Sequence, residues 1–559
     1  MSLAAKADIT EVYECTPWFG TRWGASAREE SSVSNRQVGV NTTDRGLGEH
    51  RDATHIDRRS VLKGAAALCT LGPSLVTGGE AMAHERESAY HNLGVAAAAR
   101  MIRQGEISAE AYTNALLARA RQHARLNAFI TIDETAVLAA ARAADKARAQ
   151  GADAPLLGVP LAVKDSYMTQ GLKTSFGTGL LKDFVPDADA PVVASLKSSG
   201  AIVFGKNNLV EMSYGLTGSN AHHGQPRNPY DLSRVTGGSS SGAGASVAAR
   251  LVPAALGGDT VGSIRVPASL CGVVGFKPTP GRWSGDGVAP ISHTLDTTGI
   301  LARSVEDCAL IDAVVTGANG FVHPYEGGLK GIKLAIAPKQ FQDFLDPGVA
   351  LAFQDTLGRL RQAGAEIVEV DLGEDFAALA RKVTWSLFFH DTLPDVTRFL
   401  ERNNIPATFE AIYEQLTPDI KETWSRSVLP TGEGHVSEAA VQSIRSTDRG
   451  KLQGLYAAAF TKADALVLPT TRCSAPEIAS QMKFPVAGEH QTSPFLSRNT
   501  FPASGAGLPA ITVPMGLSVE KLPVGLEIEA APGGDRSLLS LAARITAALE
   551  SIPAPSGFD

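Results

Sequence analysis

Short β-branched runs alternate with longer helical stretches along most of this 559-residue chain, and that alternation restricts its fold more than any other feature. Ser108 precedes EAYTNALLARARQ with Glu110 close behind, an N-cap followed by an apolar stripe at helical spacing. LNAFITID (126–133) reads as a strand and ETAVLAAARAADKARAQ as a helix, while the apolar run 157–163 ends on Lys164-Asp165. Residues 192–197 read as helical and 201–204 as a buried strand. Further strands are expected at 332–337, 365–370, 465–468 and 510–513, separated by helical segments. Such a pattern belongs to the α/β class, with a large mixed sheet covered by helices on both faces. No internal repeat and no Pro/Gly/Ser linker divides 92–550, so a single domain is expected there. Within the mostly helical stretch 376–445, Trp385, Phe388 and Phe389 lie close together, as core packing or as the wall of a pocket.

Composition excludes several classes of function. With 44% hydrophobic and 19% charged residues the chain is an ordinary globular protein, and a net charge of −7 offers nucleic acid no basic footprint. The five cysteines (Cys15, Cys69, Cys271, Cys308 and Cys473) form no CxxC pair, and the histidines lack HExxH spacing, so no metal site is indicated. Residues 1–57 are polar and aperiodic, and read as a disordered or misassigned extension. Residues 58–83 resemble a twin-arginine export signal: Arg58-Arg59, then the apolar GAAALCTLGPSLVTG, then Ala81-Met82-Ala83. That reading places the mature start near His84 and the protein in the periplasm. The apolar core, interrupted by Pro73, is too short to span a bilayer, and no other segment is apolar enough for stable membrane insertion.

Residues 237–265, GGSSSGAGASVAARLVPAALGGDTVGSIR, concentrate five serines on a glycine bed with no histidine and one acid, Asp259. Three chemistries are open to such a stretch. A phosphate cradle wants Gly-Lys-Ser/Thr, and no lysine is present. A nucleophile elbow fits Gly238-Ser239-Ser240-Ser241-Gly242 formally, but the preceding PRNPYDLSRVT is turn-rich and makes a poor strand. A lysine base is the third: burial at the end of LLGVPLAV would lower the Lys164 pKa toward working pH, and one serine could relay protons to another. Consecutive backbone N–H groups before the nucleophile would then hold an oxyanion.

The stretch and its continuation VPASLCGVVGFKPTPGR resemble the signature of the amidase signature family of serine hydrolases. GVPLAVKD and GQPRNPYDLSRVTGG before it fit the family, as does GVAPISHTLDTTGILARSVEDCALIDAV after it. AGLPAITVPMGLSVEKLPVGLEI matches its closing strand pair. The resemblance covers roughly 92–550 and implies the amidase signature fold and a Lys–cis-Ser–Ser triad. Lys164 matches the base, Ser239 the bridging serine preceded by a cis peptide bond, and Ser263 the acylated nucleophile. Thr260, Val261, Gly262 and the Ser263 N–H match the oxyanion loop, Asp259 and Arg265 the residues that hold it, and Ser240 a supporting hydroxyl. Ser241 and Ser246 read as scaffold. Two positions depart from the family: Val261 stands where glycine is usual, and Gly258 replaces a threonine. Position 261 must therefore have an ordinary backbone conformation if the loop is intact.

The implied activity is hydrolysis of a small-molecule carboxylic amide through an acyl-enzyme, without metal or cofactor, in a protein that is often a homodimer. The flanks look closest to arylacetamide-type amidases such as indoleacetamide and mandelamide hydrolases. The alternatives are a glutamine-hydrolysing amidotransferase component, an esterase or carbamate-cleaving member, and a non-catalytic binding protein on the same scaffold.

Overall fold

The computed structural model describes residues 90–318 and 327–558. The expected extension 1–57, the expected export signal 58–83, Cys15 and Cys69 lie outside them. In chain order the strands are β1 (Phe129–Thr131), β2 (Pro160–Lys164), β3 (Ile202–Asn207), β4 (Ala254–Asp259), β5 (Val274–Lys277), β6 (Thr297–Ala302), β7 (Lys333–Ile336), β8 (Glu366–Glu369), β9 (Ala465–Pro469), β10 (Lys483–Val486), β11 (Glu489–Thr492), β12 (Ala510–Leu517) and β13 (Pro523–Glu529). Eleven of them form one mixed sheet in the order β1-β3-β2-β4-β6-β5-β12-β13-β9-β7-β8. The other two, β10 and β11, pair as a separate hairpin.

Alternation along the strands shows why both faces need covering. On β7 and β9, Leu334, Ile336, Ala465 and Val467 enter one apolar core, while Ala335, Leu466 and Leu468 enter the other. Successive strand side chains point to opposite faces, so each face carries its own core. The first core takes in the helices Val95–Gln104, Ala109–Gln122 and Asp535–Ala548. The second is dominated by the 27-residue helix Phe376–Arg402 and the short helices after it. Ser108 caps Ala109–Gln122 by accepting from Ala111 N–H, as its position predicts.

The expected strands at 201–204, 332–337, 365–370, 465–468 and 510–513 are present with shifted ends, and the apolar run 157–163 leads into β2. The strand expected over 126–133 shrinks to Phe129–Thr131, because Ala124–Leu126 is a 3₁₀ turn and Asn127 takes a left-handed φ of 51°. β2 lies between parallel β3 and β4 with all five residues buried, the environment that a continuous apolar run requires.

Strands β4, β5 and β6 are not among the expected ones. AALGGD is poor in β-formers, yet it pairs antiparallel with TTGILA, placing Gly257 opposite Gly299. Both glycines are required by contact. A Cβ on Gly257 would lie 2.9 Å from Ile264 Cγ1, and one on Gly299 would lie 2.8 Å from Ile264 Cδ1. The glycine pair thus clears a seat for Ile264, the residue after Ser263, and fixes the turn that carries it.

Candidate active site

Lys164 is the last residue of β2 and is 1% exposed. Its Nζ donates to Ser239 Oγ at 2.8 Å. Burial lowers the lysine from 10.5 to about 7, against the opposing pull of the Asp296 and Asp259 carboxylates. Gly258 leaves room beside this amine, since a Cβ there would lie 3.7 Å from Nζ.

Ser239 follows two glycines, and the Gly238–Ser239 peptide bond is cis. Gly237 has φ 79°, and a Cβ on it would lie 3.0 Å from Pro267 Cα; one on Gly238 would lie 3.0 Å from Gly215 O. Only glycine passes through this gap between main chains. Ser240 bonds main chain rather than the lysine–serine cluster. Its Oγ is 3.2 Å from both the N and the O of Gly258, and its N–H donates to Ser263 O at 3.2 Å. Ser240 therefore ties the serine turn to β4 and to the loop bearing Ser263. Ser241 and Ser246 belong to the helix Ser241–Ala248, where Ser246 Oγ accepts from Asn207 Nδ2.

Ser263 sits between β4 and the helix Arg265–Cys271, on a turn organised by Asp259. Asp259 Oδ1 accepts from Gly262 N–H at 2.8 Å and Oδ2 from Ile264 N–H at 3.1 Å. The Arg265 guanidinium grips the same carboxylate at 2.9 and 3.0 Å, reaches Glu527 at 2.5 Å and Thr500 O at 2.8 Å, and is fully buried. The neighbouring guanidinium keeps Asp259 below the usual carboxylate range despite the opposing effect of burial.

The oxyanion loop expected at 260–263 needs one correction. The Gly262 N–H points inward to Asp259, so it is not a donor for a bound group. The amides of Thr260, Val261 and Ser263 make no hydrogen bond within the described residues. Val261 is absent from the positive-φ residues, whereas Gly262 has φ 139°. A Cβ on Gly262 would lie 2.2 Å from Thr500 Oγ1. Glycine is thus demanded at 262 alone, which explains how valine is accommodated at 261.

Ser263 lines a pocket whose wall includes Tyr214, Val261, Ile291, Trp385, Phe388 and Phe389. The three clustered aromatics therefore do both things that the sequence left open. They pack in the second core, and they line the space in front of Ser263. Trp385 and Phe388 meet edge to face at 5.1 Å, as do Tyr214 and Phe388 at 4.9 Å.

Sequence reasoning missed Asp296. It lies in the GVAPISHTLDTTG segment just before β6 and accepts from Thr260 Oγ1 at 2.7 Å. A lone acid entering a buried strand was the available signal. Also missed was the support under Lys164-Asp165: Asp165 accepts from Ser175 Oγ at 2.5 Å and lies 3.5 Å from the buried Lys206 ammonium.

Residues 111–539 match the amidase family model. The chain is 37% identical to mandelamide hydrolase from Pseudomonas putida over 82% of its own length and 92% of that protein. It is 35% identical to a glutamyl-tRNA(Gln) amidotransferase component from Roseiflexus castenholzii, over 77% of this chain and 90% of the other. Among solved structures, the native peptide amidase from Stenotrophomonas maltophilia superposes with a TM-score of 0.70 at 30% identity, covering 84% of this chain and all of that one. With a matching sheet, a matching family model and relatives spanning most of its length, this chain belongs to the amidase family of amide-hydrolysing enzymes.

Proposed function

We propose that Ser263 is the acylated nucleophile, Ser239 the proton relay and Lys164 the base in hydrolysis of an arylacetamide- or anilide-type amide. Neutral Lys164 takes the Ser239 proton while Ser239 takes that of Ser263, whose oxygen bonds to the amide carbonyl carbon. The oxyanion is held by the unpaired amides of the 260–263 loop. The proton returns through Ser239 to the leaving nitrogen as the C–N bond breaks. Water then repeats the cycle on the acyl-enzyme, releasing the acid.

The observation that carries this reading is the buried Lys164 amine 2.8 Å from Ser239 Oγ, beside a Ser263 that faces an aromatic cavity. The cavity wall supports an aromatic acyl group and, among the described residues, contains no lysine or arginine to pair with the carboxylate of glutamine. The likeness to the amidotransferase component keeps glutamine as the second reading. Ser263→Ala is the first test: labelling by a fluorophosphonate and turnover of arylacetamides should both vanish. Retained turnover would refute the assignment. A panel of arylacetamides, anilides, aliphatic amides and glutamine separates the substrate readings. Export is proposed on Arg58-Arg59 and the apolar run after it, and on those residues alone.

A further inference from the structure

Asp296 stands at the junction of three parts of the site. Its Oδ1 accepts from Thr260 Oγ1 at 2.7 Å, and its Oδ2 accepts from the N–H groups of Ile291 and Ser292 at 2.8 and 3.1 Å. Thr260 begins the oxyanion loop and Ile291 is part of the cavity wall. One carboxylate thus fixes the loop that would hold the oxyanion and the wall that faces the substrate.

The same segment is anchored to the helix Phe376–Arg402, which supplies the aromatic wall. Ser292 Oγ donates to Asp391 Oδ2 at 2.6 Å, and His293 Nδ1 lies 2.8 Å from Asp395 Oδ2. The neighbouring carboxylates each have a cation: Arg265 for Asp259, Arg445 for Asp391, Arg398 for Asp395. Asp296 has no ion pair within the described residues, although it is partly buried. A Cβ on Gly258 would lie 3.7 Å from Lys164 Nζ, and Gly258 pairs with Thr298, two residues beyond Asp296, so the charges of Asp296 and Asp259 both favour the protonated lysine. Burial also pushes Asp296 itself up to about 6, with Thr260 and the two loop amides pulling the other way and Asp395 reinforcing the rise.

We propose that Asp296 is a positioning residue of the amidase reaction, one that sets both the oxyanion loop and the charge opposite Lys164. The inference rests on the assignment of Lys164 as the base. Two functions of one carboxylate can be separated by which of them a substitution removes. Asp296→Asn removes the charge that favours protonated Lys164, so the lysine loses its proton at lower pH. The acid limb of kcat/KM should move down by about 1 pH unit or more, a readout that a purely structural residue would not shift. Thr260→Val removes the loop hydrogen bond that favours the ionised carboxylate. It should lower kcat by roughly 10-fold or more and move the acid limb by less than Asp296→Asn does.

An unmoved acid limb in Asp296→Asn, or wild-type kcat in Thr260→Val, overturns the proposal. Should Asp296→Asn fail to fold, Asp296→Glu takes its place: reduced kcat with an unmoved limb is expected, and wild-type kcat overturns it. Fluorophosphonate labelling of the wild-type protein keeps the two readings apart. Without labelling at Ser263 the catalytic assignment fails; with labelling and an unchanged Asp296→Asn profile, only the role of Asp296 fails.

Discussion

Replacing Lys164 with methionine keeps an unbranched chain of similar length and removes the amine, so it separates what burial of this lysine does for catalysis from what it costs the fold. An ordinary lysine at 10.5 would be neutral at pH 7 in only about 3 molecules per 10,000; at about 7 roughly half are neutral. Burial therefore raises the fraction of competent base by roughly 1,000-fold. The same shift corresponds to about 5 kcal/mol of disfavoured charge in the folded state at low pH. The sign follows from proton binding. Between about 7 and 10.5 the unfolded chain holds the proton and the folded chain has released it, so the group's contribution to stability rises with pH across that window. Below pH 7 both states are protonated and the folded state bears the full cost. Lys164→Met should therefore be more stable than wild type at pH 6, by up to about 5 kcal/mol, with the gap closing toward pH 10. Its kcat should fall at least ~1,000-fold at pH 7. Urea unfolding at several pH values and arylacetamide turnover between pH 5 and 9 measure both. A wild-type acid limb lying well below pH 6, or a Met variant less stable than wild type at pH 6 and equal to it at pH 10, would refute the argument that burial neutralises this amine.

Two further outcomes are expected. Trp385→Ala opens the cavity beside Ser263 and should raise KM for arylacetamides more than for aliphatic amides, at a stability cost of about 3–5 kcal/mol; an equal change for both substrate classes would remove the aromatic wall from specificity. N-terminal sequencing of protein recovered from the periplasm should begin near His84, and a chain retained whole in the cytoplasm would refute export.

The catalytic assignment reached Ser263 by its motif, and the fold shows what the local sequence hid. The strand–turn–helix arrangement sought around Ser240 is found instead around Ser263, between β4 and the helix Arg265–Cys271. AALGGD gave no strand signal because its glycines serve contacts rather than propensity. They make room for Ile264, which no nearest-neighbour pattern can reveal. Gly262 was read as an oxyanion donor from its place in the motif, and the Asp259 carboxylate claims its amide instead. Asp296 was overlooked because its importance lies in Thr260, 36 residues away in the chain, and in an unpaired charge near Lys164.

Sequence alone determined the α/β class, which is legible because periodicity acts locally, through the geometry of a few neighbouring residues. The grouping of Lys164 with Ser239 and Ser263 came from the family resemblance; the residues by themselves left three chemistries open. Tertiary structure alone decided which amides of the 260–263 loop stay free, that Trp385, Phe388 and Phe389 face Ser263 as well as the core, and that Lys164 is buried against Ser239 with its pKa lowered. Each depends on groups far apart in sequence meeting in a low-dielectric interior, where burial, contact distance and the nearest charge set the chemistry.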